Sequence, residues 1–482
     1  MEFPLTAPAY GSNIPGIGGD DEINMYIETA TESALVTRIL IPTPALRVEC
    51  VETSSGACRG MYRAASGRVF QVAGATLYEL LENGTRTARG NIGTASGPIG
   101  MSDNGNHLIL LDGGAGYTFD FVANTLTEIT DAEFPNGANQ VAFIDGYFLT
   151  YEPGSLFIRW SELLDGTAWP LLNRTSAYAS PDEVASVIAN GRELWAFGPL
   201  SGQVFYSTGE ADQQFAPVQS VALDVGTDAP HSIAVARDSV IFVGAGKDGH
   251  GRVFRSNGYT VAPISTRGIE GILSDAGDLS GSVAHVHSFN GHTFYVLTVA
   301  AAEKTVVYDV DLGEWHERAW MNPDTGELKR WRGTYGCFAF GKMLMGDSNG
   351  NAVYRLSSDH WKDQKPDASG EWNIKRRRTM PHLVSGGKMV QHADFELWGR
   401  MGEGLVQGHG EDPVFILSWS NDGGREFYGV QHVKIGRLGN YDIRARFVML
   451  GQARDRVYRI EMTDPVPFAW AGARGKVRVL DA

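Results

Sequence analysis

Cysteine is scarce in this 482-residue chain: only Cys50, Cys58 and Cys337 occur. An odd count without metal-ligand spacing argues against a disulfide scaffold and fits synthesis in a reducing cytoplasm. Long hydrophobic runs are missing too. No window approaches the ~20 apolar residues of a membrane span. Residues 1–20 are rich in glycine, proline and acid and contain no apolar signal core. Positive charge is in deficit, with 41 Lys+Arg against 56 Asp+Glu and a formal net charge of -15. A protein that wraps nucleic acid by counterion release needs a basic face. This chain is therefore expected to meet DNA only as a smooth wall, weakly attractive or repulsive. Helical periodicity is poor, with no 3.6-residue apolar stripe longer than about three turns. Short helical turns are expected only near Pro181–Val184 and Ala211–Gln214.

Glycine, by contrast, is plentiful. Its 59 copies exceed the roughly 7% average usage and fit a chain with many tight turns. Between residues 77 and 354 one phrase recurs in short strands, an apolar residue followed by an aromatic. The copies are Leu77-Tyr78, Thr118-Phe119, Leu156-Phe157, Val204-Phe205, Val253-Phe254, Val307-Tyr308 and Val353-Tyr354. Their spacing of roughly 40 to 55 residues is that of β-propeller blades. Each unit reads as strand, turn, strand, turn, aromatic strand. The turns include Asp145-Gly146, Asn190-Gly191 and Asn349-Gly350, which accept the positive φ that tight hairpins require.

The expected fold is all-β: a β-propeller plus a C-terminal β-sandwich-like domain. Seven repeat units are counted, with six blades as the alternative. Residues 1–45 read as an N-terminal arm, 46–356 as the propeller, 357–380 as a linker and 381–482 as the sandwich-like domain. The sandwich reading rests on alternating strands at Asp394–Trp398, Phe415–Ser420, Arg444–Leu450 and Val457–Met462. In the arm, Asn24–Glu28 and Ile41–Pro44 are expected to lie along the propeller and help close its last blade.

No motif carries chemistry. Gly346-Asp347-Ser348-Asn349-Gly350 matches a nucleophile-elbow string, but a strand follows where that motif needs a helix. Gly244-Ala245-Gly246-Lys247-Asp248-Gly249 matches a dinucleotide fingerprint, and again a strand follows. His285 and His287 share one face of a strand and lack a third metal ligand. Ser420-Asn421-Asp422-Gly423-Gly424-Arg425-Glu426-Phe427 resembles the Asp-box of sialidases, a structural hairpin, with Glu426 and Phe427 where threonine and tryptophan are usual. Lys375–Arg378 reads as a solvated linker, the other reading being a face for phosphate or an acidic partner. No pair of carboxylates is marked out for glycosidase work. Catalytic, cofactor-binding and metal residues are therefore all expected to be none.

Several phrases together carry a resemblance. They are Asn24-Met25-Tyr26-Ile27-Glu28, Thr43-Pro44-Ala45-Leu46, Leu417–Arg425, Gly436-Arg437-Leu438, Arg444–Phe447 and Arg459–Pro465. With them the chain resembles the packaged-DNA stabilisation proteins of short-tailed phages, which form the tail hub, or nozzle. Ala45 stands where that family usually has glycine. The resemblance implies a non-enzymatic virion structural protein of the tail, made in the host cytoplasm, without cofactor or membrane segment. It implies a homo-hexameric ring below the portal. Such a ring touches head-to-tail adaptor proteins above and a tail needle, spike or fibres below, and genomic DNA passes through it without specific binding. The alternatives are a non-enzymatic protein- or glycan-binding propeller module and a phage carbohydrate-active enzyme.

Overall fold

A computed structural model describes residues 1–12, 19–30, 36–54, 56–210, 213–245 and 251–480. Seven units of four antiparallel strands succeed one another along the chain, six of them as separate sheets and the sixth in sequence as part of an 11-stranded sheet. Blades one to six span 58–91, 100–128, 142–176, 186–223, 234–263 and 283–321, and blade seven combines 333–357 with Ala45–Cys50. All seven apolar–aromatic phrases fall on or at the start of the third strand of their blade. The reason is geometric. Successive strand residues point to opposite faces, and in a propeller both faces of a blade are covered by neighbours. Val204 enters the core between blades four and five, while Phe205 enters the core shared with blade three. Val253 and Phe254 divide in the same way one blade later, as do Val307 and Tyr308 after them. In these blades the phrase is thus a pair of pegs, aliphatic toward the next blade and aromatic toward the previous one. The hairpins are the expected kind: Asp145 and Gly146 both take positive φ, 49° and 94°.

The ring closes differently from the expectation. Blade seven takes its outer strand from Ala45–Cys50, which pairs antiparallel with Val353–Ser357. Residues 25–29 and 38–42 instead form a hairpin in the C-terminal sandwich, where Leu40 lies opposite Trp470. That sandwich sheet runs Met25–Thr29, Arg38–Pro42, Ala469–Arg474, Asp394–Arg400, Ala445–Val448. The facing sheet contains Arg376–Thr379, Asp455–Met462, Val414–Ser420 and Tyr428–Lys434. Between them lies one core, built from Phe3, Met25, Ile27, Phe395, Phe415, Phe447, Ile460, Trp470 and their neighbours. Residues 357–380, expected as a linker, hold a short hairpin of Lys362–Gln364 with Glu371–Asn373 and then the strand Arg376–Thr379.

Among the described residues the one α-helix is Arg267–Ala276, which packs Ile269 and Leu273 beside blade five. Pro181–Val184 is irregular. The turn expected at 211–214 falls partly on 211–212, outside the described residues. No helix of the described residues is long and apolar enough to cross a membrane.

Candidate functional site

The phrase Asn24–Glu28 lies where propeller and sandwich meet. Met25 and Ile27 point into the sandwich core. Tyr26, between them, points into the core of blades six and seven, with its ring edge-on to Phe294 at 5.4 Å between centroids. Glu28 faces His292 of blade six, 3.2 Å from Nε2, and the Nδ1 of that ring lies 2.6 Å from Asp309. Burial opposes charge on His292, but Asp309 and Glu28 outweigh it and raise its pKa. Both faces of this strand are interior. Full burial of side chains of this size is worth roughly 1.5–3 kcal/mol each, so a few residues tie two cores together.

Asn24, the residue just before the strand, sits in the left-handed region at φ 56°, which asparagine tolerates. Its side-chain oxygen accepts from the Ala319 amide at 2.8 Å. Its side-chain nitrogen donates to the carbonyls of Ala319 at 2.9 Å and Lys375 at 2.8 Å. Asn24 thereby stands in for a ladder rung between the outer strand of blade six and Arg376–Thr379. Just before it, Ile23 pairs parallel with Glu317 and antiparallel with Arg377. The blade-six sheet therefore continues through Glu22–Ile23 into the sandwich sheet.

The basic run 375–378 is not a solvated linker. Arg376 and Arg378 are both fully buried. Arg378 donates to the carbonyls of Leu5 at 2.9 Å, Asp21 at 3.2 Å and Ala7 at 2.6 Å, and lies 3.9 Å from Glu22. Arg376 donates to the carbonyl of Trp361 at 3.1 Å and lies over the Phe468 ring. Desolvation pushes its pKa down to about 10. Lys375 and Arg377, on the other face, pair with Glu461 at 2.8 Å each. Burial outweighs Arg378 at the Glu22 carboxyl and pushes it up to about 8. Glu317 is likewise raised by burial, although Lys304 sits 2.8 Å away. The Tyr10 hydroxyl lies between them, 3.4 Å from the Glu22 carbonyl and 3.5 Å from the Glu317 carboxylate. The seam is a polar lock inside an apolar joint, with arginines spent on backbone carbonyls.

The remaining motifs settle into structural roles. Ser348 occupies the turn between Lys342–Asp347 and Val353–Ser357. Its neighbour Asp347 is held by Arg332 at 2.5 Å and by the Tyr354 hydroxyl at 2.9 Å. Gly246–Gly249 lies outside the described residues, and Gly251–Asn257 after it is a strand. In the Asp-box-like hairpin, Asp422 accepts from the amides of Arg425 at 3.0 Å and Glu426 at 3.2 Å. The Arg459 guanidinium sits 3.5 Å from the centre of the Phe427 ring. His285 and His287 stack at 5.5 Å on the inner strand of blade six. Burial and then Arg318 drive both toward the neutral form, His285 to about 3. Arg318 itself lies between the Phe294 and Trp331 rings, 3.3 Å from the His287 Nε2. Among the described residues no group of three or more His, Cys, Asp or Glu is placed to hold a metal ion.

Comparison with known proteins agrees with this architecture. Residues 23–361 match the family described as Bacteriophage P22 Gp10, beta-propeller, and residues 375–478 match Bacteriophage P22 Gp10, beta-sandwich. Comparison with curated proteins gives no match. Among solved structures, the extracellular domain of the hybrid two component system BT4673 from B. thetaiotaomicron has a TM-score of 0.45 at 10% identity. That alignment covers 65% of this chain and 40% of the other. The Neurospora crassa Pan2 WD40 domain has a TM-score of 0.41 at 10% identity, covering 63% of this chain and 90% of that one. The WD40 beta propeller domain of Doa1 has a TM-score of 0.40 at 10% identity, covering 65% and 97%. The two family matches together span nearly the whole chain and take in Asn24 and Lys375–Arg378 of the seam, so this protein belongs to the bacteriophage P22 Gp10 family of phage stabilisation proteins.

Proposed function

We propose that this chain is a structural protein of a phage tail, acting as a ring-forming hub below the portal. The observation that carries the reading is the seam, taken together with the family. A propeller already packs every blade against two neighbours, and here a second domain is joined to it through one continuous sheet and a buried polar lock. Such a frame suits a part that bears load from packed DNA. A ring of identical subunits closes through head-to-tail contacts between unlike surfaces. On this reading the ring is a homo-hexamer, docks to head-to-tail adaptor proteins above and to a needle, spike or fibres below, and forms the ejection channel. The acidic balance of the chain lets DNA slide past without specific binding.

The test is quantitative mass spectrometry of purified particles from the phage that encodes this chain. The expected result is a copy number about half that of a twelve-fold portal, as a closed six-fold ring requires. Absence of the chain from particles, with all of it free in the lysate, would overturn the reading.

A further inference from the structure

The outer face of one sandwich sheet carries a basic groove on an otherwise acidic chain. Arg446 on one strand, Arg444 just before it, Arg474 on another strand and Lys476 after that surround a cavity of about 380 Å3, with Asp394 and Glu396 at its floor. Exposed arginine–carboxylate pairs are usually solvated and weak. This set differs because its carboxylates are covered, with side chains 7% and 9% exposed. Glu396 accepts from Arg444 twice, at 2.8 and 2.5 Å, and from Arg474 at 3.0 Å. Asp394 accepts from Arg446 and from the Lys476 backbone amide at 2.7 Å. The acceptors of the floor are thus turned to the arginines, whose side chains are about half exposed. Preorganised guanidinium planes lose little freedom on meeting another carboxylate.

The border of the groove is apolar and protein-like. Trp398 is 38% exposed and lies against Gly472, where a Cβ would come within 2.7 Å of the indole. Val448 and Met449 are exposed at the end of the strand that carries Arg446. Tryptophan and arginine side by side are the residue types that dominate protein–protein contacts. A nucleic-acid duplex fits poorly: it brings one charge per ~1.7 Å past a chain with a net charge of -15, and Asp442 acts on Arg444 at the rim.

We propose that this groove docks a carboxylate-bearing surface of a second copy of this chain. The inference rests on the ring reading above. Closure of a ring needs two unlike surfaces on each subunit, and this cationic groove is the complement to the acidic excess of its own neighbour.

Zero-length carbodiimide cross-linking of purified particles tests it, together with particles built from Lys476→Glu and Lys476→Arg chains. Lys476 is exposed and its hydrogen bond to the floor comes from its backbone amide, so both changes keep that bond; its side-chain charge, which helps hold the Asp394 carboxyl below its ordinary pKa, is kept by Lys476→Arg and reversed by Lys476→Glu. The expected result joins Lys476 to a carboxylate of the same sequence that lies beyond reach within one chain. Lys476→Glu should lower incorporation at least about tenfold, since like charges across an interface cost several kcal/mol, while Lys476→Arg incorporates normally. If the chain is present in ring-like numbers but Lys476 joins only to a different protein, or Lys476→Glu incorporates as well as the parent, this inference is overturned and the ring reading stands. If the chain is absent from particles, the ring reading falls and the inference falls with it.

Discussion

Replacing Glu22 by glutamine should remove much of the pH dependence of stability. Glu22 is buried in the seam, and its carboxyl is pushed from an ordinary 4.5 up to about 8, because burial outweighs the attraction of Arg378. A raised acid binds its proton more tightly in the folded state. Its stabilising contribution is full below pH 4.5 and is lost as pH climbs through 8. Integrating the two titrations between pH 5 and 8 gives a loss of about 3–4 kcal/mol from this one group. Glutamine keeps the size and the hydrogen-bonding edge but cannot ionise. Denaturant unfolding of both proteins at pH 5, 6, 7, 8 and 9 isolates Glu22, since Glu317, Tyr10 and Lys304 around it remain in both. The parent should lose stability relative to Glu22→Gln steadily up to about pH 8 and then level off. Parallel curves, or a parent that gains on the variant as pH rises, would refute the claim that desolvation dominates Arg378 at this site.

Three further outcomes follow from the same contacts. Asn24→Ala removes the partners of one amide and two carbonyls at the seam and should cost about 2–4 kcal/mol in urea unfolding. Arg318→Met should be neutral or stabilising in thermal unfolding, within about 1 kcal/mol of the parent or above it, because this buried cation leaves its Nε and one Nη without a protein partner. Asp422→Ala should cost about 1–2 kcal/mol by freeing the amides of Arg425 and Glu426, and should leave incorporation into particles unchanged under permissive conditions.

The propeller was legible because its signal is local and repeated. In the last four blades each apolar–aromatic phrase fills two cores at once, so the same residue types return there whatever else varies. The second domain was legible from its alternating strands, one face toward a single core. The joint was not. Asn24 acts through partners that are 295 and 351 residues away, and no local pattern records such a rung. Arg376 and Arg378 misled for a related reason. A basic run normally marks solvent, whereas these guanidiniums are buried against backbone carbonyls of distant segments. The clue that was available is period two: alternate members of 375–378 pair with Glu461 and turn inward. The closing strand was misplaced by a few residues because Tyr26 and Ile41 do pack on the propeller, while Met25, Ile27 and Leu40 on the opposite faces belong to the sandwich.

The sandwich is assembled from both ends of the chain, and this sets a timetable for synthesis. The backbones of Met1 and Gly475 bond to each other across 474 residues. At ribosomal speeds of about 5–20 residues per second, the hairpin 25–42 waits on the order of a minute for the strand that covers it. Throughout that wait Met25, Ile27 and Leu40 are an apolar edge in search of a partner, beside other nascent chains that carry the same edge. The protein should therefore depend on chaperones that shield this hairpin until the covering strand has been made. Moving the first residues to the far end by circular permutation, with the new start at the Ala45 strand, should shorten the wait and raise the soluble yield.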